Sequence, residues 1–176
     1  GGVVIVGVGT SGTLVQGNYV GTNAAGTAAR GNTYNGVAIF GGATGNSIGG
    51  TAAGAGNLLS GNGDNGVALA DSGTSGNLVL GNTIGLNATQ TALLGNTNQG
   101  IWIGNSASGN TVGGTATGAG NTVGGSSYAG IELHGAGTSN NTVTGNFIGT
   151  DATGAANFGN GGNGVTLVSG ASNNLI

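Results

Sequence analysis

Apolar residues recur along this chain in short alternating runs. Val37 and Ile39 flank Ala38, and Ile101 and Ile103 flank Trp102. Two further runs follow each of these. One centres on Val15, Ile48, Val79, Val112, Val143 and Ile176, the other on Val20, Leu59, Ile84, Val123 and Ile148. Alternation with period two places one face of a strand inward and the other outward. Every inward position is Val, Ile or Leu, whereas the outward neighbours vary: Ala38, Ala68, Trp102, Glu132 and Thr166 share one column. No stretch shows the 3.6-residue period of a helix.

The runs repeat. The glycine that opens the first run of each group is Gly2, Gly36, Gly66, Gly100, Gly130 and Gly164, at spacings of 34, 30, 34, 30 and 34 residues. The true period is therefore 64 residues, made of two similar halves. No single half buries its own inner face, so stacking is required. The pattern predicts one all-β domain over residues 1–176, a parallel β-helix (solenoid) of about 5.5 turns with three short strands per turn. At strand spacing the rod is roughly 26 Å long.

Polar residues mark the corners. Asn46, Asn77, Asn110, Asn141 and Asn174 align in one column, with Thr13 as its single departure. Asn18, Asn57, Asn82, Asn121 and Asn146 form a second. A side-chain amide donates and accepts at once, so stacked copies satisfy one another. Each asparagine adjoins a residue, usually glycine, suited to the left-handed backbone of a sharp bend. Loops alternate as well. Odd turns extend after the third strand, at residues 21–31, 85–95 and 149–159; even turns extend between the second and third, at 49–56 and 113–120. Loops of one kind thus recur every second turn, about 9.6 Å apart. Arg30, Leu94 and Phe158 occupy one loop column, and an apolar cap folded on the sheet is the plain expectation there.

The phrases GN-x-[IV]-G, as in Gly81 to Gly85, and NGV-x-[IL], as in Asn35 to Ile39, resemble the right-handed parallel β-helix repeats of bacterial secreted and cell-surface proteins. The resemblance covers essentially the whole chain. It implies the right-handed coil, an extracellular or cell-surface location, and a superfold shared by pectate lyases, polygalacturonases, phage tailspikes and passive stalks.

Composition narrows the chemistry. Charged residues are 3% of the chain and Arg30 is its only strong cation, which argues against nucleic acid and against anionic membrane surfaces. The run VVIV near the start is too short for a membrane span. Cysteine is absent, so disulfides and thiolate metal sites are excluded; methionine is absent too, which suggests a piece of a longer repeat protein. No cofactor is expected. The acids are Asp64, Asp71, Glu132 and Asp151, and His134 is the only imidazole. The β-helix hydrolases that the resemblance evokes use clustered carboxylates, and the lyases add calcium and a base. Asp151 aligns with Asn23 and Asn87, which leaves a calcium site only one carboxylate.

One constellation remains. Alternation places Glu132 and His134 on the same outward face, with Trp102 one turn away, an arrangement suited to stacking on and hydrogen-bonding a sugar. On a solenoid the plain alternative is an ordinary surface. The outward columns of the second and third strands hold threonine too irregularly for ice binding. The expectation is a structural or adhesive stalk without catalysis; a polysaccharide-binding or degenerate polysaccharide-processing face at Trp102, Glu132 and His134 is the alternative. Open strand edges on the terminal coils further suggest end-to-end self-association.

Overall fold

The computed structural model describes residues 1–176 as an all-β solenoid without helix. Every sheet pairs in parallel, as a coil that returns to the same side each turn requires. The first sheet stacks Val3–Val6, Val37–Phe40, Val67–Ala70, Ile101–Gly104, Ile131–His134 and Val165–Val168. The second holds Leu14–Val15, Ser47–Gly49, Leu78–Leu80, Thr111–Gly113 and Thr142–Thr144. The third holds Tyr19–Val20, Leu58–Leu59, Thr83–Ile84, Thr122–Val123 and Phe147–Ile148. The coil makes about five turns.

Register follows the alternating long and short repeat. Val3 lies beside Val37, Val37 beside Val67, Val67 beside Ile101, and Ile101 beside Ile131. Like therefore stacks on like inside the coil. The interior is a single cluster of 20 buried residues, all aliphatic, running from Ile5 to Val143. Fully burying each Val, Leu or Ile is worth about 1.5–3 kcal/mol, which sets the register, because a one-residue slip would turn the whole column outward. On the last turn, Leu167 and Ile176 occupy inward columns and are 43% and 54% exposed.

The glycines that mark the period are explained by close approach. A Cβ on Gly66 would lie 2.7 Å from the Gly100 carbonyl oxygen and 2.9 Å from Asn96 Nδ2. Elsewhere the backbone itself demands glycine: Gly81 and Gly85, at the two ends of one corner phrase, have φ of 65° and 77°. Asn140 and Asn173 stand in for glycine ahead of Asn141 and Asn174 with φ of 56° and 55°, a conformation asparagine tolerates.

Candidate functional site

The asparagine columns are hydrogen-bonded ladders. In the first, Nδ2 of Asn46, Asn77, Asn110 and Asn141 donates to Oδ1 of the next asparagine at 3.0, 2.9, 3.2 and 3.1 Å. In the second, Asn18, Asn57, Asn82 and Asn121 do the same at 3.1, 2.9, 3.0 and 2.8 Å, ending on Asn146. Each Oδ1 also accepts the backbone N–H of the preceding turn's asparagine, as Asn82 does from Asn57. The remaining amide proton goes to a carbonyl further back: Asn82 Nδ2 donates to Ile48 O at 2.9 Å. The interior amides are thus used up within the chain and have nothing left for a ligand. At Thr13 the hydroxyl column-mate offers only its backbone N–H, which Asn46 Oδ1 accepts.

A third column at the remaining corner was not anticipated. Asn32 and Asn62 donate Nδ2 to Oδ1 of Asn62 and Asn96, both at 3.0 Å, and Asn160 Oδ1 accepts the Ser126 N–H. Its sequence signal is the pair Gly-Asn four residues ahead of each period-marking glycine, as at Gly61-Asn62 and Gly95-Asn96. Ser126 breaks it. Its side-chain oxygen is the one buried side-chain polar atom in the protein with no hydrogen-bond partner.

On the outer face of the first sheet, Trp102 pairs in register with Glu132, and Gly104 with His134. The Trp102 ring lies over Gly104, where a Cβ would collide with three of its atoms. The Trp102 and His134 ring centroids are 6.4 Å apart and tilted by 39°. His134 Nδ1 meets Glu132 Oε1 at 3.0 Å, and Gln99 Nε2 donates to Glu132 Oε2 at 2.9 Å. The three residues named from the sequence are therefore together, with Gly104 beneath the indole and Gln99 as a support from outside the strand that alternation does not reveal. Both Glu132 oxygens are engaged, and its side chain is 15% exposed against 44% for His134. What remains outward is an indole face and one imidazole nitrogen. That set can stack on a ring and make one hydrogen bond. It lacks the second carboxylate that glycoside hydrolysis requires.

The other acids lie apart from it. Asp64 accepts amide protons from Asn65 and Asn98. Asp151 opens the loop 149–159, where its Oδ1 accepts N–H groups of Thr153, Ala155 and Ala156. Asn23 and Asn87 do the equivalent work in their loops, taking N–H groups of Thr27 and Ala28, and of Thr91 and Ala92. An acceptor oxygen is what this position needs. Desolvation pulls the Asp151 carboxyl up, but the Thr153 hydroxyl and the three backbone N–H groups outweigh it and hold it below the ordinary value. No group of three or more acidic or imidazole side chains converges to hold a metal ion. No helix is long and apolar enough to cross a membrane. In the loop column, Phe158 is buried, Leu94 half-buried and Arg30 exposed, so only the aromatic member closes fully onto the coil.

The fold is that of parallel β-solenoids. No protein-family model, curated protein or solved structure matches the chain.

Proposed function

We propose that this chain is a structural segment of a secreted bacterial surface repeat protein, of the pectate-lyase-like β-helix type, acting as a stiff stalk without catalysis. One observation carries this reading. An amide column runs at each corner, and, except at the Ser126 break, its hydrogen bonds are satisfied by adjacent turns, so the residues repeated most faithfully serve the rod itself. Low charge and tight corners suit an extracellular adhesin, where resistance to proteases matters and no chaperone assists. Hydrogen exchange tests it. The strand amides between residues 37 and 143 should exchange together, and far more slowly than the amides of the loops between them. Turns that open one at a time at loop-like rates would overturn the stalk.

A second reading rests on the Trp102 face. The half-buried indole, fixed over Gly104 and flanked by His134 and Glu132, offers its outward face as a platform for a sugar ring. Screening polysaccharides against the native chain and Trp102→Ala decides this: binding lost in the variant would make the face a carbohydrate site. Copies of the rod also offer one another open coil edges, with the inward-column residue Ile176 54% exposed at the last turn. Sedimentation should show concentration-dependent association, and a monomer at all concentrations would exclude it.

A further inference from the structure

The two loop families do more than decorate alternate turns. Loop 113–120 reaches back to loop 49–56 so closely that a Cβ on Gly118 would lie 2.7 Å from the Thr51 carbonyl. On the other side, Ala88 N–H donates to Gly26 O at 3.0 Å, and Ala152 N–H to Gln90 Oε1 at 3.3 Å. Each family is therefore a continuous wall. Between the walls lies the outward face of the third sheet, hollowed into two adjoining cavities of about 360 and 470 Å³. They share Gly81, Thr83 and Gly118, so they form one groove along the rod axis. Tyr19 stands at one end, 51% exposed, and Phe147 at the other, 39% exposed. Four strand steps separate them, roughly 19 Å.

Gln90 breaks the repeat inside this groove. It holds a left-handed backbone, φ 52°, at the loop position where Gly26 and Gly154 have 65° and 75°. A side chain there is strained, and strain of this kind points to a use for the side chain. Gln90 Nε2 donates to Thr83 Oγ1 at 3.0 Å on the groove floor. An amide nitrogen carries two N–H groups, and the second has no partner in the protein.

The lining chooses the ligand. No charged residue touches either cavity, so neither a polyuronate nor a nucleic acid finds a counter-charge. Hydroxyl and amide groups lie between two aromatic rings, a surface matched to sugar hydroxyls and to the apolar faces of pyranose rings. The walls repeat about every 9.6 Å, comparable with two residues of an extended β-linked glycan. A peptide strand fits less well, because the floor is the face of a sheet whose backbone groups are already paired between turns. We propose that the groove binds a neutral, unbranched β-linked polysaccharide along the rod, with Tyr19 and Phe147 as stacking platforms and Gln90 and Thr83 as polar contacts. The site lies on a different sheet from Trp102 and holds whether or not the rod is a stalk.

Calorimetric titration of the full chain with cello-, xylo- and manno-hexaose, and with hexagalacturonate at the same ionic strength, tests this. At least one neutral hexasaccharide should bind, and the acidic one should not. Phe147→Ala and Tyr19→Ala should each weaken binding about five- to tenfold. Gln90→Gly should weaken it too, while the melting temperature is unchanged or raised. That split separates a ligand contact from a structural one. Trp102→Ala should leave binding intact. The proposal fails if no neutral glycan binds, if hexagalacturonate or an uncharged peptide binds as tightly, or if the groove variants bind like the native chain. It also fails if Trp102→Ala alone abolishes the signal. Should Tyr19→Ala not fold, Phe147→Ala and Gln90→Gly decide the matter.

Discussion

The corner before the second strand and the corner before the first strand face the same problem with different success. At the former, each asparagine from Asn46 to Asn141 donates a hydrogen bond to the next, ending on Asn174, without a gap. At the latter the chain Asn32, Asn62, Asn96 stops at Ser126, whose shorter side chain leaves its own oxygen unpaired. The backbone is indifferent to the loss: Ser126 N–H still bonds Asn160 Oδ1 at 3.1 Å. The fold therefore does not depend on every rung. The amides lower the free energy of a coil that the aliphatic columns already define.

The most damaging change is to cut a complete ladder. Asn82→Ala deprives Asn57 of an acceptor for both its N–H and its Nδ2, and takes the Nδ2 donor away from Asn121 Oδ1 and from Ile48 O. At about 1–3 kcal/mol for an unsatisfied buried group, the variant should lose about 3 kcal/mol or more, read as a lower urea midpoint. A loss under about 0.5 kcal/mol would mean that water replaces the ladder. Repairing the broken column is the converse. Ser126→Asn restores an acceptor below Asn96, and the glycine at 100 leaves the same room that the glycine at 66 leaves for Asn96. A gain of about 1–2 kcal/mol is expected in the same denaturation assay. Ser126→Ala removes the orphaned hydroxyl without a new bond, so a smaller gain, below about 1 kcal/mol, should follow. Stabilisation ranked asparagine, alanine, serine is the signature; serine as the most stable would show that its hydroxyl is already paired.

The smallest effect concerns charge. Asp151 is held below the ordinary carboxylate value of 3.8, so its contribution to the loop is present above that pH and is lost as pH falls through its lower folded value. Asn87 has no proton to gain. Below about pH 4 the backbone N–H signals of Ala155 and Ala156 should shift while those of Thr91 and Ala92 stay, a difference that magnetic resonance resolves directly.

Much of this was legible from residues alone. Val79, Val112 and Val143 recur at strand-compatible spacing, and only stacking makes such a column useful, so the solenoid and its register were readable. Asn82 and Asn110 were readable for the same reason. The third column was obscured because Ser126 interrupts it and because the glycine beside it already served to mark the period. Trp102, Glu132 and His134 were placed together by alternation, since they lie on one sheet face. Gln99 was not, because its amide reaches Glu132 from outside the strand, across a turn. Nor was the axial groove. Loops two turns apart in the stack touch only because Ala88 and Gly118 lean along the rod, and lean is a property of backbone path that no residue pattern states. Gln90 could have been noticed by aligning the odd loops, where glycine precedes and follows it at the equivalent position.

The alternation of the two turn types has an evolutionary corollary. The contact between one 64-residue unit and the next is built from the same residue columns as the contact within a unit. A gene that copies one unit in frame therefore encodes a longer protein whose new junction is already optimised. A copy of half a unit would set two loops of one family on adjacent turns, where they collide. Length is a quantity this fold lets unequal recombination adjust, in steps of two turns, without inventing an interface.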